Sequence, residues 1–139
     1  GWGSTELTVA VARCHAKDRV VRTGVVDEST KSELLRAATM LVYPSVYEGF
    51  GLPPLEAMSV GTPVVTTEVA AITEVCGEGA ATVPIHDPEA LAKAVDLLLS
   101  DGELRRLQVE RGRVVTTRYD WDDTVDTLCR HMLELAGTD

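Results

Sequence analysis

The chain has 139 residues, enough for one domain or part of one, and its 45% hydrophobic content is ordinary for a soluble globular protein. No apolar run approaches the ~20 residues that a membrane-spanning helix needs. A net charge of −9, from 13 basic and 22 acidic residues, argues against nucleic acid and against anionic membrane surfaces as partners.

Residues 1–6 have neither the basic nor the apolar stretch of a signal peptide. Residues 4–17 carry Leu7, Val11 and Cys14 at helical spacing and predict a first helix. Arg19-Val20-Val21-Arg22 predicts a short strand ended by Thr23-Gly24. Residues 27–38 predict a second helix with Leu34, Leu35 and Ala38 inward. Thr30-Lys31-Ser32-Glu33 fits a capping box there, and Asp27 is a second candidate cap. Residues 40–43 predict a strand, and residues 52–60 a short helix stopped by Gly61. Residues 63–66 form a strand apolar enough to be buried on both faces. A turn of helix at 72–75 leads to a last strand at 80–83.

Asp87 and Pro88 open a helix that runs to Leu99, with Leu91, Ala94, Val95 and Leu98 on one stripe. Residues 103–117 predict another helix, with Leu104, Leu107 and Val114 inward. Asp120 caps a final helix in which Trp121, Val125, Leu128, Met132 and Leu135 recur at four- and three-residue steps. Strands alternating with helices imply an α/β fold: a Rossmann-like parallel sheet with helices on both faces, ending in helices. Cys14, Cys76 and Cys129 are odd in number and form no Cys-x-x-Cys pair, which fits buried free thiols in a reducing cytosol and a cytoplasmic location. His15, His86 and His131 share no ligand spacing, so no metal site is expected.

The chemistry concentrates in Glu48-Gly49-Phe50-Gly51-Leu52-Pro53-Pro54-Leu55-Glu56. Two carboxylates flank a glycine-rich turn that feeds a helix start. Gly49 and Gly51 can take positive φ and let a ligand approach the backbone. Pro53 and Pro54 suit first-turn positions, whose N–H groups have no intrahelical partner. Free N–H groups and the positive end of the helix dipole favour phosphate. A carboxylate is a poor neighbour for phosphate but a good acceptor for sugar hydroxyls, so the stretch reads as a site for a ligand that carries both. A plain turn and helix start with two solvated glutamates also accounts for the spacing. Between Arg36 and Lys93 there is no Lys or Arg, so no cation near in sequence serves such a site.

The chain continues Glu56-Ala57-Met58, then Gly61-Thr62-Pro63-Val64-Val65, and Met40-Leu41-Val42-Tyr43-Pro44-Ser45 precedes the motif. Together residues 41–65 resemble the signature of retaining, nucleotide-sugar-dependent family 4 glycosyltransferases of the GT-B fold. Ile72-Thr73-Glu74-Val75 and Asp87-Pro88-Glu89-Ala90-Leu91 extend the similarity over nearly the whole chain. The resemblance covers only the later part of that family's C-terminal, donor-binding domain. It implies a partial domain at 1–139 that lacks its first two strands, central in a doubly wound sheet. Unpaired edges would then favour a second copy or the missing part of the enzyme as partner.

The resemblance also implies roles. Glu56 would accept hydrogen bonds from the ribose hydroxyls of the donor. Glu48 would stand near the donor sugar as the catalytic carboxylate, orienting a hydroxyl or favouring positive charge at the anomeric carbon. Phe50, Gly51 and Leu52 would offer backbone N–H groups to the diphosphate or sugar, and Val25 and Val26 would meet the base. No cofactor is implied: the nucleotide-diphosphate sugar is the donor substrate, and transfer proceeds without a divalent metal. The family's Arg and Lys for the leaving diphosphate come from a segment with no counterpart here, so the chain alone is expected to be inactive. A non-catalytic nucleotide-binding or assembly module, a phosphorylase and a sugar-nucleotide epimerase are the alternatives on this fold.

Overall fold

A computed structural model describes residues 4–137. At its centre lies a three-stranded parallel sheet in the order β1-β2-β3, made of β1 (Leu41–Tyr43), β2 (Val64–Thr67) and β3 (Ala80–Val83). Leu41 pairs with Val64, and Val64 with Ala80. Parallel neighbours need a crossover, and here helices supply both. The first is α3 (Leu52–Ser59), between β1 and β2; the second is α4 (Ala70–Cys76), between β2 and β3. Around them stand α1 (Ser4–Arg13), α2 (Glu28–Ala37), α5 (Pro88–Ser100), α6 (Gly102–Thr116) and α7 (Trp121–Ala136). The expected α/β, Rossmann-like fold is therefore present.

All four residues of β2 are buried: Val64 and Val65 as their apolar side chains imply, Thr66 and Thr67 with hydroxyls that donate to the Tyr43 and Ser45 carbonyls. Around it Leu55, Ala57, Met58, Val64, Val69, Ile72, Val75, Cys76 and Val115 form the core. Each large side chain there contributes about 1.5–3 kcal/mol through the area it removes from water. Polar anchors fix the strands. The Thr62 hydroxyl donates to the Leu35 carbonyl at 2.6 Å, and Gln108 Nε2 donates to the Val64 carbonyl at 2.8 Å. Of the three cysteines expected to be buried only Cys76 is, and burial pushes its thiol up to about 11. Cys14 and Cys129 are exposed because they lie just past the end of α1 and on the open helix α7. Helix α6 lies close against α3, because Gly79 and Gly112 carry no side chain. A Cβ on Gly112 would stand 2.9 Å from Met58 Cγ, and one on Gly79 2.7 Å from Met58 Sδ.

Several expectations need correction. Residues 19–22 form no strand: Lys17–Arg19 is a 3₁₀ turn, and residues 20–22 belong to no sheet. A strand exists only through its ladder, and among the described residues none lies beside this segment. Helix α1 ends at Arg13 rather than residue 17. The cap of α2 is Asp27, whose carboxylate accepts from the Thr30 N–H at 2.7 Å, so the capping-box alternative falls. Leu34, Leu107 and Val114 face solvent, and the buried face of α6 is Gln108, Gly112 and Val115. The predicted turn at 72–75 is the longer α4. The apolar stripe of α7, by contrast, lies open as expected of an uncovered face, with Trp121 at 80% and Leu135 at 89% exposure.

Candidate functional site

The carboxyl ends of the strands are where open α/β sheets bind ligands, and the chain brings its motif there. From β1 the chain passes through Pro44 and Ser45 to Glu48. The Tyr43 hydroxyl donates to Glu48 Oε1, and the Ser45 hydroxyl, 3.1 Å from the same oxygen and 3.1 Å from the Tyr47 carbonyl, shares its one proton between them. The end of β2 braces this loop. Thr66 donates to the Tyr43 carbonyl at 2.8 Å, and Thr67 donates to the Ser45 carbonyl. Glu48 is thus a half-buried carboxylate held by two hydroxyls on a braced turn. Burial, and then the bond to Glu48, push the Tyr43 phenol up to about 12. Tyr43 stays protonated across ordinary pH and keeps donating.

Gly51 caps α3 in the left-handed region, at φ 101° and ψ 46°. A Cβ at that position would meet Ile72 Cγ1 at 3.3 Å, so glycine serves both the conformation and the packing. Pro53 and Pro54 follow in the first turn of the helix. They fit it sterically, yet each removes a backbone donor, so the helix start offers an anion fewer N–H groups than an ordinary one.

Glu56 stands one turn further along α3. Lys31 Nζ of α2 donates to Glu56 Oε1 at 2.9 Å and also pairs with Glu28 at 2.7 Å. The hydrogen bonds to Glu28 and to Glu56 hold the Lys31 pKa above its usual value. Sequence reasoning found no cation for this site because it searched near the motif, whereas Lys31 lies 25 residues upstream of Glu56. The available signal was the Asp27 cap, which sets where α2 starts and hence which face Lys31 occupies.

The remaining predicted residues divide. Phe50 and Leu52 are exposed and help to line an open groove of about 560 Å³ with Leu55, Arg118, Tyr119 and Trp121. The Phe50 ring meets the Tyr119 ring edge-on at 5.8 Å. Neither Glu48 nor Glu56 lines that groove. Val25 is fully exposed and Val26 half-buried. Both precede α2, the helix whose Lys31 reaches Glu56. Among the described residues no group of three or more His, Cys, Asp and Glu side chains is placed to hold a metal ion. No described helix is long and apolar enough to cross a membrane.

The arrangement has counterparts. The family described as "Glycosyl transferases group 1" matches residues 1–101. The O-antigen chain mannosyltransferase B of Escherichia coli is 34% identical over 134 residues, 96% of this chain and 35% of that protein. A D-inositol 3-phosphate glycosyltransferase of Acidothermus cellulolyticus is 41% identical over 97 residues, 68% of this chain and 21% of that protein. Among solved structures, sucrose-phosphate synthase from Thermosynechococcus elongatus aligns with 97% of this chain and 35% of its own, at a TM-score of 0.87 and 28% identity. The C-terminal domain of a group 1 glycosyl transferase from Francisella tularensis aligns with 82% of this chain and 60% of its own, at 0.72 and 29%. The chain thus spans about a third or less of these curated relatives. On the match over residues 1–101, the chain belongs to the group 1 glycosyl transferases, with the Rossmann-like fold of GT-B C-terminal domains.

Proposed function

We propose that the chain is the donor-binding part of a retaining, metal-independent hexosyltransferase of family 4 that uses a nucleotide-diphosphate sugar. The observation that carries this reading is the pair of held carboxylates, Glu48 on its two hydroxyls and Glu56 on Lys31, either side of a glycine-capped helix start. Glu56 accepts from the vicinal ribose diol, which suits the two oxygens of a carboxylate. Glu48 faces the donor sugar and stabilises positive charge as the anomeric carbon separates from the diphosphate. The Phe50, Gly51 and Leu52 N–H groups meet the diphosphate or sugar, and the backbone at Val25 and Val26 meets the base. In transfer, the bond from the anomeric carbon to the diphosphate oxygen breaks. An acceptor oxygen bonds to that carbon, and the acceptor's proton leaves with the nucleoside diphosphate.

The helix start lacks two proline N–H groups, and in this reading the cations that stabilise the leaving diphosphate would come from another part of the enzyme. That part would also supply two central strands and the acceptor site. A soluble, cytoplasmic enzyme completed by this part, or by a second copy of the chain, is the corresponding assembly. The test is titration of the chain with UDP- and GDP-sugars, followed by ligand-observed magnetic resonance. Glu56→Gln keeps the shape but loses the charge that strengthens hydrogen bonds from the diol, and it should weaken binding ~10-fold. Equal affinity in the two proteins would defeat the ribose role.

A further inference from the structure

Glu56 raises a difficulty for any donor that carries a diphosphate. A carboxylate beside phosphate is repulsive, and Glu56 is partly buried, where screening is weaker than in water. The structure holds a cation against this carboxylate. Lys31 Nζ lies 2.9 Å from Glu56 Oε1 and reaches it from a different helix. The two side chains are equally exposed, at 35% each, so the pair is partly shielded from solvent. Glu28, at 88% exposure, meets the same ammonium at 2.7 Å, a solvent-exposed pair that adds little hold of its own. Asp27 caps α2 one turn before Lys31 and fixes the helix from which it projects.

We infer that Lys31 is a positioning residue for donor binding: it holds the Glu56 carboxylate in one rotamer and, although it is shared with Glu28, offsets part of the Glu56 charge, so that a nucleoside diphosphate and its ribose diol bind together. The inference rests on the reading that Glu56 meets the ribose. A carboxylate has about four lone-pair sites, and one lysine bond leaves room for both diol hydroxyls. Holding Oε1 lowers the rotamer entropy lost when the ligand arrives, which is how preorganisation raises affinity. Offsetting the charge matters for the diphosphate and not for a bare nucleoside. The residue acts through Glu56 and not on the reacting atoms.

The experiment uses this chain and four probes: UDP, GDP and the 2′,3′-dideoxy forms of each. Wild type should prefer the ribose forms. Lys31→Met should weaken UDP or GDP ~10-fold and remove most of that preference, while Lys31→Arg retains it, because a charge-assisted bond is restored. In a Glu56→Gln background, Lys31→Met should change affinity less than about 2-fold, the signature of two residues acting as one. Circular dichroism of each variant checks that α2 persists. A wild type with no diol preference overturns both this inference and the role of Glu56. A preference that survives Lys31→Met overturns the inference alone. A loss that persists in the Glu56→Gln background, and on the dideoxy probes, shows Lys31 acting on phosphate directly and also overturns it.

Discussion

The phenol of Tyr43 donates a hydrogen bond to the carboxylate of Glu48 five residues later, tying the last residue of β1 to the loop that follows it. Burial and this bond raise the Tyr43 pKa from 10.0 to about 12. A raised pKa means that the folded chain holds the proton more tightly than the unfolded chain. The stabilisation is complete below pH 10 and is lost as pH rises towards 12. In an absorbance titration one of the three tyrosines should ionise near pH 12, and Tyr43→Phe should remove that step. The melting temperature should fall over the same window, and less so in Tyr43→Phe. A complete tyrosine titration by pH 10.5 would show that the bond is not held.

Gly51→Ala should cost about 1–3 kcal/mol, measured by chemical denaturation. A left-handed φ costs an ordinary residue roughly 1–2 kcal/mol, and the new Cβ presses on Ile72. Relief of that strain would tilt the Phe50–Leu52 turn, so the loss of donor binding should exceed the loss of stability. Wild-type stability in this variant would mean that the turn adopts another conformation in solution.

The open stripe of α7 has an expected outcome of its own. Trp121, Val125, Leu128 and Met132 lie between 51% and 80% exposed along one helix. Contiguous apolar surface of this kind associates in water. The chain should gain mass with concentration in light scattering, and Leu128→Lys with Met132→Lys should abolish the gain. A wild-type chain that stays monomeric across the range would show that the stripe does not drive association.

What was legible in the sequence follows from what is local. The central strand β2 was readable because four consecutive residues buried on both faces must all suit a buried position. Helix α5 was readable because Asp87, Pro88 and its apolar stripe agree. The segment at 19–22 was not, since two valines have high strand propensity but pairing needs a neighbour that propensity cannot see. The inner face of α6 was missed because it is a glutamine, a glycine and a valine, chosen for fit against Met58 and the Val64 carbonyl rather than for hydrophobicity. Within the site, the loop around Glu48 was readable from its motif. The partners of both carboxylates were not, because Tyr43, Ser45 and Lys31 are selected by geometry in space.

Met58 and Glu56 ride on the same short helix, one at its back and the other at its front. Gly79 and Gly112 present bare backbone to the Met58 side chain, which sinks to 1% exposure between them. The two glycines therefore act as spacers of zero thickness, and they set how deep α3 seats in the domain. The height at which the Glu56 carboxylate meets solvent, and its reach to Lys31, is thereby governed from the rear. A methyl group added at residue 112 would be felt as a displacement of charge at the mouth of the site, on the far side of a helix it never crosses.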